Sequence, residues 1–535
     1  MVACGLPRAK SRGSSTLEIL IAFAILTLAL TAVILVFSSN QDVAIDTETA
    51  SEALGLAQAG LETARATSTQ NFAFLESTNS TTTSGSLAYG KSLQVLDVSP
   101  CFKHATSTVT WAGITHEQTV ELATYLSDVI GAFALGGGCD STPPGDWTNP
   151  TTYGSAPPSV VDGKGTGVDV AIIGGTKYAF LTTSNSDPSK DDLWAFDVSN
   201  PKTPIQRDYM NIASSSNAVD VAHDYATGKD YAYIASNSQN EAGTCGPGNP
   251  KPFEKQFQIV DVSDPSSFGT AVSKTLSSVN PCGSYPAAVS VYYYDGKVYV
   301  GTKETGGDEL TIFDVSDPTD PDYPVELDSI SINRNVNAII VRDGLAYLAT
   351  GPGAAGVWNP FQIYDVDPVS PTYKQRLDNI VSPFIATGDE QGTSEYLIGN
   401  KLYLGLESTP SGRPDFFVLD VSDPTSPHEL GDWRVCSNAT PPKCLKLSAG
   451  TSHPYISGIS VRSNTAFLST TDSLQPFWVV NISDPTGIAP VSNCVPYNYS
   501  ADTQGLVFSD NYIYVVDASN AGLRVIYGQP LACPL

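Results

Sequence analysis

The first apolar stretch of the chain runs from Ile19 to Phe37 without a charged residue. Its 19 residues approach the ~20 that a helix needs to cross a bilayer. Ala, Leu and Glu dominate the segment that follows, where Leu54 and Leu61 recur at heptad spacing. The pattern predicts one long helix over about 15–66, embedded in a membrane first and amphipathic later.

Strand patterns replace the helical pattern further along the chain. Strand-forming residues, alternating with polar ones in the last two segments, fill 92–98, 105–111 and 118–125. We therefore predict a small antiparallel sheet over about 87–126 that packs on the helix. The Ser/Thr/Asn-rich segment 67–86 is predicted to be a loop. The Gly- and Pro-rich segment 131–160 is predicted to be a linker or a closing segment of the next domain.

A repeated pattern occupies the rest of the chain, residues 161–535. Each copy ends in a short apolar strand and a turn such as Asp-Val-Ser-Asp-Pro. Six clear copies carry an acid or its amide at the same turn position, namely Asp197, Asp261, Asp314, Asp365, Asp420 and Asn481. A decayed seventh copy ends at Tyr527, and successive copies are 46 to 64 residues apart. Strand-rich repeats of this length predict one seven-bladed β-propeller.

The repeated turn residues have two interpretations. Their side chains can accept hydrogen bonds from backbone N–H groups of the turn, while Pro fixes the φ angle. Alternatively, they form a ring of calcium ligands. Calcium needs about six to eight converging oxygens, and this spacing supplies one blade edge at a time. Turn capping is therefore the favoured hypothesis, no cofactor is predicted, and calcium stays the alternative.

A propeller must also hide the edges of its first and last strands. The last repeat ends in a third strand at Tyr527, so another segment must supply the fourth. Residues 528–535 contain two Pro and few strand-forming residues, whereas Ile130–Leu135 is largely apolar. We therefore predict that Ile130–Leu135 closes the ring.

A motif precedes the first apolar stretch. A basic leader is followed by Gly13-Ser14-Ser-Thr-Leu-Glu18, and the apolar run begins at the next residue. This arrangement resembles the class III signal of type IV prepilins. The resemblance implies that a prepilin peptidase cuts after Gly13, that Ser14 becomes N-methylated, and that Glu18 is the fifth residue of the mature chain.

The same resemblance implies a set of partners. A carboxylate at the edge of a membrane helix is costly without a partner, and Glu18 would pair with the N-terminal amine of a neighbouring pilin subunit. The N-terminal helix would hold the chain in the inner membrane before assembly, and in an extracellular pilus at the cell surface afterwards. A plain signal anchor with a glutamate at its edge is the alternative.

The repeats resemble LVIVD-type propeller repeats. Together the two resemblances imply a mainly β fold, in which a long N-terminal pilin helix with a small antiparallel sheet (α+β) precedes a seven-bladed β-propeller. The implied parts are a prepilin leader (1–13), a pilin-like domain (14–130), a linker or closure segment (131–160) and the propeller (161–535).

Charge and cysteine content add to this interpretation. The formal net charge is −27, and removal of residues 1–13 takes away three basic residues, which leaves about −30. Such a surface repels phosphates, so no nucleic-acid partner is predicted. Beyond Cys4 of the leader, eight cysteines are left, an even number that suits disulfides in an exported protein. Loops that share a propeller face predict the bond Cys245–Cys282, and a position within one loop predicts Cys436–Cys444. The pairing of the remaining four cysteines is open, with Cys139–Cys533 the preferred third bond.

Catalytic motifs are absent from the sequence. HExxH, G-x-S-x-G and the P-loop do not occur, and Gly351–Gly356 matches G-x-G-x-x-G ahead of a strand rather than a helix. No catalytic residue and no metal ligand are predicted. We therefore expect a minor or tip pilus subunit that displays the propeller as an adhesion module for an unknown surface ligand. The alternatives are a surface-tethered propeller hydrolase or lyase, and a pseudopilin of a secretion machine.

Overall fold

The fold is taken from a computed structural model of the chain. The structure describes residues 23, 26–27, 30–31, 49–68, 75, 77–84, 87–99, 102–113, 117–127, 146–157, 163–185, 190–212, 215–224, 227–237, 255–277, 287–304, 307–351, 359–378, 391–407, 415–430, 455–471, 476–485, 488–490, 503–518 and 522–529. The chain divides into two compact units, Met1–Ala132 and Phe133–Leu535.

In the first unit, helix α1 (49–68) packs on a four-stranded antiparallel sheet. The strands, in spatial order, are β1 (Thr78–Ser84), β2 (Leu87–Ser99), β3 (Phe102–Ala112) and β4 (Glu117–Ser127). The buried face of α1 consists of Ala53, Ala57, Leu61 and Ala64, which follow the helical period. Leu54 lies off this face and is 40% exposed.

The fold class predicted from the sequence is wrong in this region. The described structure is predominantly β, and its one continuous helical segment is 49–68; residues 23, 26–27 and 30–31 are also helical, and the structure describes no helix running through 15–66. Of the described residues, none belongs to a helix long and apolar enough to cross a membrane. Ala, Leu and Glu raise helix propensity without determining where a helix begins. A prediction based on composition therefore made the helix too long. The predicted loop 67–86 contains strand β1, whose exposed Ser/Thr-rich sequence has no apolar alternation.

Seven antiparallel sheets, which we call blades 1 to 7, make up the second unit. Blade 1 contains β6 (Lys164–Ile173), β7 (Thr176–Ser184), β8 (Leu193–Asp197) and β9 (Ile205–Met210). Blade 2 contains β10 (Ser216–Asp224), β11 (Lys229–Ser236), β12 (Phe257–Asp261) and β13 (Val272–Lys274). Blade 3 contains β14 (Ala288–Tyr294), β15 (Lys297–Thr302), β16 (Leu310–Asp314) and β17 (Val325–Ile330). Blade 4 contains β18 (Val336–Arg342), β19 (Leu345–Thr350) and β20 (Phe361–Asp365).

The remaining blades continue the pattern. Blade 5 contains β21 (Gly392–Ile398), β22 (Lys401–Leu406), β23 (Phe416–Asp420) and β24 (His428–Glu429). Blade 6 contains β25 (Ile456–Arg462), β26 (Thr465–Thr470), β27 (Phe477–Asn481) and β28 (Ala489–Pro490). Blade 7 contains β29 (Thr503–Ser509), β30 (Tyr512–Asp517), β31 (Leu523–Gln529) and the earlier strand β5 (Asp146–Ala156).

The blades close into a ring. Each innermost strand contacts that of the next blade, and β29 contacts β6. Strand β5 precedes blade 1 in sequence and pairs antiparallel with β31 of blade 7. The closing strand lies within the predicted linker or closure segment 131–160, but it is Asp146–Ala156 rather than Ile130–Leu135, which lies outside the described residues. Pro150 of β5 hides the strand from sequence patterns, but an outermost strand tolerates Pro because one of its edges needs no N–H donor.

Hydrophobic clusters lie between neighbouring blades. Between blades 2 and 3, Tyr233 and Phe257 pack with Val298, Val300 and Phe313. Full burial of one such side chain stabilises the fold by about 1.5–3 kcal/mol. Because both faces of the middle strands are covered, their sequences are apolar throughout instead of alternating.

Tight turns join the first two strands of a blade. In blade 3, Asp295 and Gly296 have φ angles of 49° and 73°, and in blade 4 Asp343 and Gly344 have 53° and 75°. Two successive residues in the left-handed region form a type I′ turn, which fits the twist of the strands that it joins. Such turns fix the register of the innermost strands around the centre of the ring.

Candidate functional site: the channel cavity

Every innermost strand carries a register shift near its start, which is a β-bulge or related irregularity. The residues at these bulges are Thr166, Asn217, Val289, Asn337, Thr393, Ser457 and, in the wider bulge of blade 7, Gln504-Gly505. All of them line one cavity of ≈ 700 Å³, which we call the channel cavity. Because all seven innermost strands contribute, the cavity lies at the centre of the ring.

Side chains at the bulges bridge neighbouring blades. In each bond a side chain at the bulge donates to a backbone carbonyl of the next blade. The bonds run from Thr166 Oγ1 to Ser216 (2.8 Å), Asn217 Nδ2 to Ala288 (2.6 Å), Asn337 Nδ2 to Gly392 (2.7 Å), Thr393 Oγ1 to Ile456 (2.8 Å) and Ser457 Oγ to Thr503 (2.6 Å). In blade 3, Val289 cannot donate, and Ser290 Oγ donates to the Val336 carbonyl at 2.7 Å. These six hydrogen bonds form what we call the interblade belt. A bulge leaves backbone groups unpaired. Each bond of the belt pairs the backbone carbonyl of the residue just before the bulge in the next blade.

The interblade belt also determines which hydrogen-bonding groups of the channel cavity are available to a ligand. A Thr or Ser hydroxyl that donates its one hydrogen can then only accept, and an Asn amide that donates keeps its carbonyl oxygen as an acceptor. Gln504 is an exception, because its Oε1 accepts from the Tyr455 hydroxyl at 2.9 Å. The lining is therefore rich in hydrogen-bond acceptors and suits a ligand that is rich in donors.

Glu395 departs from the repeat at the cavity wall. At the matching position the other innermost strands carry an apolar residue, namely Val168, Val219, Val291, Ile339, Ile459 and Leu506. Glu395 is 8% exposed, and neither carboxylate oxygen has a hydrogen-bond partner of good geometry. Burial raises the pKa of Glu395 well above its ordinary value, and the nearby amides of Ala349 and Ile340 oppose this shift only in part. Because both carboxylate oxygens are out of contact with solvent and lie beside amides of blade 4, the carboxylate lies between blades 4 and 5 rather than in the open cavity.

Two more carboxylates follow on the innermost strands of blades 1 and 2. Asp169 Oδ2 accepts from the Val221 N–H at 2.7 Å, and Asp220 Oδ2 accepts from the Tyr293 N–H at 2.6 Å. Each carboxylate thus accepts a hydrogen bond from a backbone N–H of the innermost strand in the next blade. Burial raises the pKa of both groups, and the charge of Asp220 raises the pKa of Asp169 further. Both groups have partners on the next blade and therefore join neighbouring blades.

The channel cavity is lined by charged groups of both signs, in a protein that is negative as a whole. Its lining contains Lys303, Glu407 and Glu395, and Gln391 donates a hydrogen bond to Glu407. The whole chain carries a formal charge of −27. A negative protein surface concentrates cations and repels anions near a cleft.

The described residues that line the channel cavity include no His and no Cys. In the part of the chain that the structure describes, no group of three or more His, Cys, Asp or Glu side chains could hold a metal ion. The arrangement suits binding through hydrogen bonds and charge.

The predicted turn residues lie at the ends of β8, β12, β16, β20, β23 and β27 and do not line the channel cavity. Each accepts a hydrogen bond from the backbone N–H two residues further on, in the pairs Asp197–Ser199 (3.0 Å), Asp261–Ser263 (3.0 Å), Asp314–Ser316 (2.9 Å), Asp365–Asp367 (3.0 Å), Asp420–Ser422 (2.8 Å) and Asn481–Ser483 (2.9 Å). Hydrogen bonds from Ser422 lower the pKa of Asp420. These bonds stabilise the turns locally.

The other predicted site residues lie outside the described residues. They are Gly13, Ser14, Glu18, Cys139, Cys245, Cys282, Cys436, Cys444 and Cys533. The processing site and the three disulfides therefore stay predictions. Sequence reasoning missed Glu395, although an alignment of the innermost strands would have shown a carboxylate where the other repeats have Val, Ile or Leu.

Comparison with known proteins found one matching family model and several similar solved structures. The family model described as LVIVD repeat matches residues 253–273, 288–325, 412–434 and 500–526. A search of curated proteins gives no match. The similar solved structures include the computationally designed Ika8 protein, with 12% identity, a TM-score of 0.40 and coverage of 70% of this chain and 99% of that one.

Two natural proteins are similar at the same level. BamB from Moraxella catarrhalis has 13% identity, a TM-score of 0.37 and coverage of 72% of this chain and 100% of that one. A putative exo-β-1,3-galactanase from Bifidobacterium bifidum s17 has 12% identity, a TM-score of 0.31 and coverage of 54% and 99%. These scores indicate no function for the chain. The C-terminal part is therefore a β-propeller of seven sheets that contains segments matching the LVIVD repeat.

Proposed function

We propose that the propeller is a binding module whose ligand occupies the channel cavity, and that the chain displays this module at the cell surface as a minor or tip subunit of a type IV pilus. The channel cavity carries the binding part of the proposal. All seven innermost strands line it, and the side chains that donate to the interblade belt leave hydrogen-bond acceptors for a ligand.

The N-terminal motif supports the mode of display. Cleavage after Gly13 by a prepilin peptidase and contact of Glu18 with other pilin subunits would place the propeller outside the cell. Before assembly the inner membrane would hold the apolar run from Ile19 to Phe37. A large propeller on every subunit would crowd a filament shaft, which favours a sparse or terminal position. Nothing among the described residues adds support for the hydrolase or lyase alternative.

A cavity-filling substitution tests the binding site. Val289 lines the channel cavity and takes no part in the interblade belt, so Val289→Trp should fill the space and leave the ring closed. Val369 is 87% exposed and does not line the cavity, so Val369→Trp is a matched control. The probe is a fragment set of amines, neutral sugars, carboxylates and phosphates, followed by ligand-detected NMR on the full-length chain.

The expected result is that at least one fragment class binds the wild type and the Val369→Trp variant and does not bind the Val289→Trp variant. Absence of binding to the wild type, or equal binding to Val289→Trp, would overturn the proposed site. Display is tested separately by mass spectrometry of the mature N-terminus. Ser14 should be the first residue, and an intact Met1 would contradict the pilus proposal.

A further inference from the structure

We propose that the ligand of the channel cavity is a neutral, hydroxyl-rich molecule, that is, a sugar. This inference rests on the proposed binding function and specifies the chemistry of the ligand. Two features of the lining carry it. Hydrogen bonds within the protein fix which polar groups of the lining accept and which donate. The charged side chains among the described lining residues are exposed, hydrogen-bonded to a neighbour or held between blades.

The interblade belt fixes the acceptors. Asn217 Nδ2 donates to the Ala288 carbonyl and, at 3.0 Å, to Asn237 Oδ1, so both of its amide hydrogens are used. The Asn217 amide oxygen is then the polar atom that this side chain offers a ligand. Thr166 and Thr393 each donate their single hydroxyl hydrogen to a carbonyl of the next blade, so their oxygens can only accept.

Two other amides of the lining are held in the opposite sense. Asn335 Oδ1 accepts from the Glu304 N–H at 2.8 Å, and Gln504 Oε1 accepts from the Tyr455 hydroxyl at 2.9 Å. Because their oxygens are used, Asn335 and Gln504 offer their NH₂ groups as donors. The cavity thus presents both acceptors and donors around one space. A sugar hydroxyl donates one hydrogen and accepts another, so adjacent hydroxyls on a ring match a lining of this mixed kind.

Charged and apolar ligands fit the lining less well. The Glu395 carboxylate lies beside amides of blade 4, Glu407 accepts a hydrogen bond from Gln391, and the Lys303 side chain is exposed to water. An ionic group of a ligand that is buried in the cavity would therefore lack a counter-charge, which is costly. An apolar ligand would remove the amide and hydroxyl groups from water without pairing them, which costs free energy for each group. A neutral, hydroxyl-rich ligand avoids both costs.

The size of the cavity admits two sources of the sugar. A volume of ≈ 700 Å³ lies within the about 300–1,000 Å³ of ordinary ligand pockets. A free sugar and the terminal sugar of a surface glycan present the same ring of hydroxyls. They differ at the anomeric carbon, which carries a hydroxyl in the free sugar and a substituent in the glycan. Reducing sugars therefore represent a free ligand, and methyl glycosides represent a glycan terminus.

Calorimetric titration of the full-length chain tests the inference. The probes are glucose, galactose, mannose and N-acetylglucosamine, each as the reducing sugar and as its methyl glycoside. Cyclohexanol is the analogue with a ring and a single hydroxyl. We expect saturable binding of at least one sugar and no binding of cyclohexanol. The affinity for the sugar should change less than about twofold between about 0.02 and about 0.5 M NaCl, because salt screens only charges.

A single substitution tests the donor side of the lining. Asn335→Asp keeps the oxygen that accepts from Glu304 and removes the NH₂ group, so it should weaken sugar binding at least about fivefold. Asn481→Asp is the matched control, because Asn481 Oδ1 also accepts from a backbone N–H, that of Ser483, and the side chain does not line the cavity. If Asn335→Asp does not fold, Gln504→Glu, which removes the other NH₂ group, replaces it.

The outcomes separate this inference from the proposed function. Equal sugar binding by the wild type and Asn335→Asp overturns the inference, and so does cyclohexanol binding as tight as that of the sugars. Binding of amines, carboxylates or phosphates that Val289→Trp abolishes, without binding of any sugar, also overturns it and leaves the binding function standing. Sugar binding that Val289→Trp leaves unchanged, or no binding of any probe, overturns both. Tighter binding of the reducing sugar than of its methyl glycoside would indicate a free sugar, and the reverse a glycan terminus.

Discussion

Blades 4 and 5 place opposite chemistry at one position of the same repeat. Ile339 of blade 4 and Glu395 of blade 5 each follow a bulge by two residues, and they are 5% and 8% exposed. Ile339 packs in the cluster between blades 3 and 4, whereas Glu395 buries a carboxylate beside the Ala349 and Ile340 amides of blade 4. The repeat therefore holds its turns and most of its core constant, and a single departure places a carboxylate between two blades.

A carboxylate at position 339 of blade 4, where blade 5 carries Glu395, should change the free energy of unfolding the most. Ile339→Glu would bury a charge within an apolar cluster, and we expect a loss of at least about 3 kcal/mol in the free energy of unfolding. Urea unfolding followed by tryptophan fluorescence measures it. The control Ile339→Leu should cost less than about 1.5 kcal/mol. If Ile339→Glu lowers the free energy of unfolding no more than Ile339→Leu does, blades 4 and 5 do not differ in how they accommodate a carboxylate at this position.

The reverse change should stabilise the protein. Glu395→Val removes a buried carboxylate that has no hydrogen-bond partner of good geometry, and we expect a gain of about 1–3 kcal/mol at neutral pH. Because the folded-state pKa of Glu395 is raised, the folded chain binds more protons than the unfolded chain above about pH 4.3. Wild-type stability therefore falls as the pH rises from there to the raised pKa, and the gain should be smaller at pH 4. A loss at neutral pH would show that the Ala349 and Ile340 amides stabilise the carboxylate more than its burial destabilises it.

Removal of one bond of the interblade belt should have a smaller effect. Asn337→Ala leaves the Gly392 carbonyl of the next blade unpaired, so we expect a loss of about 1–2 kcal/mol in the free energy of unfolding. Val289→Ala is the control, because Val289 occupies the same position in blade 3 without such a bond. Equal losses in the two variants would show that the belt does not join the blades.

The turn residues should give the smallest effect. Asp420→Ala removes the acceptor of the Ser422 N–H bond, at a cost of about 0.5–1.5 kcal/mol. Asp420→Asn should cost much less, because Asn481 makes the same bond in blade 6. Since the pKa of Asp420 is lowered in the folded state, its contribution is present above about pH 4 and is lost as the pH falls below it. Thermal unfolding at two pH values measures both effects.

The sequence was informative where one residue acts locally and uninformative where several blades meet. Asp314 and the turn that it starts could be predicted, because its hydrogen bond joins residues two apart. Strand β5 could not, because Pro150 and its polar sequence become compatible with a strand only beside β31. The long helix was predicted from composition, which does not define where α1 begins.

The channel cavity could not be predicted for a related reason. Its lining depends on bulges, and a bulge arises from the pairing of two strands rather than from one segment. The bond between Asn217 and the Ala288 carbonyl joins residues 71 positions apart. The anomaly of Glu395 was visible only once the seven innermost strands were aligned by their pairing.

Ligand-detected NMR on the full-length chain tests the central claim most directly. If the channel cavity is the ligand site, at least one fragment class should bind the wild type and the Val369→Trp control, and Val289→Trp, which fills the cavity, should lose that binding. Equal binding by Val289→Trp and the wild type would contradict the account.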